Sequence, residues 1–160
     1  MSSSLIRQQI VGVEAQIVAC NAEIKSMEKI IQDKQDSLTE YLQKQESFWT
    51  KMSSLKKRAG NVEESHPVSK AAKQYANKGN MDFWGTVYTT KQQQSLDIET
   101  EMREEVRQDE SRLQELYTHL ANINATLTSL QAQLATAIAQ EEAAAQAAQS
   151  AAKTSVGRRK

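Results

Sequence analysis

The chain has 160 residues, enough for one domain, but only 39% are apolar and 5% aromatic, which excludes a thick globular core and leaves room for a thin seam. Twenty basic residues balance twenty acidic ones, so no strong field steers the protein toward nucleic acid or an anionic membrane. One proline and five glycines among many Gln, Ala, Glu, Lys and Ser residues favour helix, because Ala and straight side chains lose little rotamer freedom there.

The first third carries apolar residues in alternating steps of four and three: Ile6, Ile10, Val13, Ile17, Cys20, Ile24, Met27, Ile31, then Leu38, Tyr41, Phe48, Met52 and Leu55. Lys34 and Gln45 are the polar interruptions. A repeat of this spacing keeps one narrow stripe facing a partner helix as the pair supercoils, and it predicts a single helix over 4–58. Trp49 falls just off the stripe, beside Phe48.

Residues 59–85 differ in character and hold the only proline, Pro67, with Gly60, Gly79 and Gly85. His66-Pro67 is suited to open a short helix over 67–78 and Gly79-Asn80 to close it. Phe83, Trp84 and Gly85 then form an elbow, with Asp82 or Thr86 capping the next helix. That helix is expected over 86–150. Its seam runs Met102, Val106, Asp109, Leu113, Leu116, Leu120, Ile123, Leu127, Leu130, Leu134 and Ala137, and weakens upstream through Tyr88, Gln92, Ser95 and Glu99, with Leu96 and Ile98 off it. Ala139–Ala152 is a low-complexity Ala/Gln stretch, expected to fray, and 153–160 reads as a basic flexible tail.

The prediction is an all-α fold: a long antiparallel coiled-coil hairpin over 1–152, with a short helix and turn at the bend. Folding about a point near residue 75 sets Ile24 opposite about residue 126 and Ile6 opposite about 144, seam to seam. In that register Lys34 lies near 116 and Asp109 near 41, so the two do not pair. Seams of this kind also join separate chains, and a homodimer stays open.

No catalytic residue, metal ligand set or cofactor site is expected. His66 and His119 belong to no helical metal pair, and a zinc site needs at least three convergent ligands. His119 beside Glu115 reads as a solvated pair. Cys20, the one cysteine, is a seam residue, expected to be buried and inert. No phosphate-cradling glycine loop or nucleophile elbow is present. The cluster Lys56-Lys57-Arg58 is followed by Glu63-Glu64 and reads as a solvated bend, not a nucleic-acid footprint. No run reaches the length of a membrane span, and the start lacks the pattern of a secretory signal.

The residues that stand out are Phe83, Trp84, Gly85, Tyr88 and Trp49. Large aromatics near an apex either lock the bend or anchor a partner, and these five are the candidate partner-binding residues.

The layout, with Trp84-Gly85 at the turn into the second helix, resembles the WXG superfamily of type VII secretion, and especially the small helical proteins encoded with LXG toxins. The family's motif has one residue between Trp and Gly where these two are adjacent. Its Tyr-x-x-x-Asp/Glu export signal has no counterpart, since Ala121 follows Tyr117 at the fourth place and Gln92 follows Tyr88. The resemblance implies a non-enzymatic targeting factor or chaperone that binds the helical N-terminal domain of a secreted toxin beside a second small helical protein. The implied location is the cytoplasm, or outside it by a signal-peptide-independent route, with the export signal supplied by the partner. Long hairpins also serve as structural adaptors and as stalk or escort proteins of flagellar and type III export, and that is the alternative reading.

Overall fold

A computed structural model describes residues 2–65, 74, 77–79 and 81–157, with only the backbone described for 60–65 and 151–157. The fold is all-α, a helical hairpin, and no strand occurs among the described residues. Helix α1 spans Ser3–Ser65, a π-helical turn spans Met81–Val87, and helix α2 spans Tyr88–Gly157. The predicted short helix over 67–78 falls almost wholly outside the described residues.

Both long helices extend beyond their sequence-based limits. Helix α1 runs through Lys56-Lys57-Arg58 to Ser65 instead of ending at 58, and α2 continues to Gly157, into the segment read as a tail. Neither stretch contains proline, and one glycine inside a helix costs only about 1 kcal/mol. The start of α1 is closed by the Ser2 carbonyl, which accepts from the Leu5 and Ile6 amides.

Contacts divide the chain into two compact units: Met1–Glu28 with Arg112–Lys160, and Lys29–Ser111. In the first, Cys20 and Ile24 from α1 bury against Ile123 from α2, and Val13, Ile17, Leu113, Leu116 and Leu120 pack around them. Ile6 and Ala137 are also buried. The Cys20 thiol points at the Leu116 carbonyl, 3.7 Å away, so it is a packed seam residue closed off from solvent. At the start of α1, Glu141 accepts from the Ser3 amide at 2.8 Å and from the Ser3 hydroxyl at 2.7 Å. This is a cap supplied by the other helix: a carboxylate takes up exposed N–H groups where the helix dipole is positive. The bond from the Ser3 amide, then that from its hydroxyl, holds the Glu141 carboxyl below its ordinary range. Alanines therefore flank an anchored residue in a segment expected to fray.

In the second unit the helices again run antiparallel, with Ile31 and Val106 buried between them. Here the expected register fails. Lys34 does not lie near residue 116; its ammonium sits 2.7 Å from Asp109 Oδ2 and 3.2 Å from Glu105. Gln35 donates to Glu110 at 3.1 Å. In the first unit Tyr117 donates to Glu28 at 2.6 Å, and Ile24 packs with Ile123, within one turn of the expected 126. The departure is seven residues, one heptad, at Lys34, five at Gln35 and Glu28, and three at Ile24. The physical reason is degeneracy: sliding one helix by a heptad returns every seam residue to the seam. The apolar pattern therefore cannot choose between the two registers, whereas a charge pair inside the seam can.

The stripe on α1 also departs from its predicted course. Tyr41, Gln45 and Met52 keep their predicted places and are half-buried, but Leu42 joins Tyr41 and Trp49 takes the place of Phe48. Phe48 and Leu55, predicted in the seam, are each 51% exposed. An undistorted helix has a period of about 3.6 and drifts from a strict 3.5 repeat. The swap brings the larger indole of Trp49 inward in place of Phe48.

Candidate functional site

The five residues singled out in the sequence all fall in the second unit, and four of them touch one another. Trp49 meets Tyr88 edge to face at 5.1 Å between ring centroids, Tyr88 meets Trp84 at 5.5 Å, and Trp84 meets Phe83 at 4.8 Å. Phe48 extends the series by packing on Trp49 at 4.9 Å. Lys56 places its ammonium 5.7 Å from the centre of the Tyr88 ring, within reach of the negative face of the π system. Five rings thus form a continuous cluster linking α1 to the start of α2.

The cluster has an inside and an outside. Trp49, Trp84 and Tyr88 are half-buried, whereas its two ends, Phe48 and Phe83, are 51% and 46% exposed. Trp49 faces Tyr88 across the seam, and Phe83 is the more open ring.

Phe83, Trp84 and Gly85 do not form an elbow. They lie within the π turn Met81–Val87, which runs directly into α2, so Asp82 and Thr86 are helical residues, not caps in front of a helix. The Thr89 hydroxyl donates to the Gly85 carbonyl and, at 3.2 Å, to that of Thr86, taking up carbonyl groups where the wide turn meets the α-helix. No described residue, Gly85 included, has positive φ, and a methyl group at Gly85 meets nothing within 4 Å. Gly85 therefore has no conformational role in the free chain. Gly85→Ala is expected to raise stability by about 0.5–1 kcal/mol, read as a higher urea midpoint. A lower midpoint means that the π turn needs glycine.

A polar network beside the cluster was not singled out in the sequence. Tyr41 donates to the Ser95 carbonyl at 2.9 Å, and its hydroxyl lies 2.9 Å from the Ser95 hydroxyl, to which Gln45 donates at 2.8 Å. Tyr41, Gln45 and Ser95 are each legible as seam positions, but only the register shows that they meet. Together with Lys34 and Asp109 they give this stretch of the seam polar partners where apolar residues run out.

Among the described residues, no group of three or more His, Cys, Asp or Glu side chains is placed to hold a metal ion. No described helix is long and apolar enough to cross a membrane. His66 lies outside the described residues. The site thus consists of aromatic surface on paired helices. Comparisons of the chain with family models, with curated proteins and with solved structures find no match.

Proposed function

We propose that this chain is a non-enzymatic helical partner protein, and that the aromatic cluster near the start of α2 is where it holds another protein. The supporting observation is the pair of exposed rings, Phe48 and Phe83, rigidly backed by three half-buried ones. Aromatic anchors of this kind supply much of the energy of protein interfaces, since they bury large area at low entropic cost. The finer reading rests on the resemblance of the sequence: a targeting factor that binds the helical N-terminal domain of an LXG-type toxin for type VII secretion, beside a second small helical protein.

Co-expression with an LXG toxin N-terminal domain tests this. Phe83→Ala is expected to weaken capture of that domain about tenfold or more while leaving helicity unchanged. Trp84→Ala is expected to weaken it about thirtyfold, with some loss of stability. Absence of capture by the wild-type chain overturns the toxin reading. One observation favours the alternative of a structural adaptor: Trp49, Tyr88 and Trp84 pack on one another and already act as a latch. On that reading Phe83→Ala leaves every interaction of the protein intact.

A further inference from the structure

Beside the aromatic cluster, α1 and α2 leave an open groove between Phe48 and Ile98, with Trp49 and Ser95 at its base and Lys44 and Lys91 on its rims. Its walls are apolar and exposed, Phe48 at 51% and Ile98 at 46%. The same faces continue along both helices. On α1, Lys51 and Leu55 follow Phe48 by three and seven residues, and Leu55 is 51% exposed; at the end of the π turn that leads into α2, Val87 precedes Lys91 by four and is 48% exposed. Residues at these spacings share one side of a helix. The groove between Phe48 and Ile98 is thus edged by Lys44 and Lys91, and no carboxylate lines it. Glu40 pairs with Lys44 from one turn back, but both are exposed, and an exposed pair of this kind contributes little and exchanges readily.

We propose that this groove docks an amphipathic helix whose apolar ridge is flanked by acidic residues, as a third helix laid against α1 and α2. This rests on the partner-binding reading above and names the chemistry of the partner. Charge complementarity selects the occupant. A helix with an apolar stripe covers Phe48 and Ile98, and carboxylates on its flanks meet Lys44 and Lys91, whereas a basic helix brings like charges to both rims.

The test uses the full chain and three synthetic helical peptides that share one leucine stripe and carry Glu, Gln or Lys on the flanks, with binding followed by anisotropy of a label on the peptide. The Glu peptide is expected to bind about tenfold or more tighter than the Lys peptide at low salt, with the gap closing as ionic strength rises. Lys44→Glu with Lys91→Glu reverses the order. Ile98→Ala weakens the Glu peptide several-fold, and circular dichroism stays unchanged because Ile98 is exposed. Equal binding of the three peptides, binding insensitive to Ile98→Ala, or a sedimentation mass showing that a second copy fills the groove overturns the proposal. Failure of the two readings is distinguishable. A toxin domain captured equally well by the Lys44→Glu, Lys91→Glu chain removes the groove and keeps the partner reading. A charge-ordered peptide response with no capture of the toxin domain does the reverse.

Discussion

Trp49→Ala is expected to open the second unit around the start of α2, at a cost of about 2–3 kcal/mol. The indole is half-buried and makes edge contacts with both Phe48 and Tyr88. Truncating a buried tryptophan costs about 3–5 kcal/mol and each aromatic pair adds about 0.5–1.5, so partial burial sets the figure near the lower end. Amide exchange in 41–52 and 84–98 is the measurement, because it reads opening locally. Exchange there should accelerate about thirtyfold or more, while amides around Cys20, Ile24 and Ile123 keep their protection. Phe48→Ala serves as the contrast, since the ring is half in solvent and its loss removes only the one pair with Trp49, about 1 kcal/mol. If Trp49→Ala is equally mild, Trp49 is not a latch and its indole is free for a partner.

The second large effect concerns Lys34 and Asp109. Asp109 is the more enclosed of the two, with 21% side-chain exposure against 36% for Lys34, and its Oδ2 is closed off from solvent with no bond apart from the ion pair. The bond to Asp109, then that to Glu105, raises the lysine's pKa above its ordinary value, so the ammonium stays charged across the physiological range. The two single substitutions should therefore be unequal. Lys34→Leu strands a carboxylate in the seam and lowers the melting temperature, whereas Asp109→Leu leaves Lys34 still paired with Glu105 and raises it. Replacing both by leucine should raise it by about 5 °C or more, as apolar replacement of an enclosed ion pair often does.

The gain in stability carries a loss of uniqueness. With Cys20 replaced by Ser, a flexible thiol cross-linker between Gln35→Cys and Glu110→Cys reports the observed register. It should react to completion in the parent seam and fall in the double-leucine chain as the register one heptad away becomes populated. Unchanged cross-linking in the double-leucine chain would falsify the role of the ion pair and assign register to the remaining contacts between the helices.

The sequence alone determined the helical state of the chain, the seam residues from Ile6 to Ile31 and from Met102 to Ala137, and the burial of Cys20, because these depend on local propensity and on a period read within one helix. It also marked the aromatic residues near the start of α2 as unusual, since large rings are scarce in this composition. Tertiary structure decided which seam residues face one another. A heptad slide conserves the apolar pattern, and only the meeting of Lys34 with Asp109, and of Tyr41 and Gln45 with Ser95, separates one register from the next. It also decided which rings point inward: adjacent positions on α1 face almost the same way, and only the second helix, by placing Tyr88 against Trp49, leaves Phe48 in solvent.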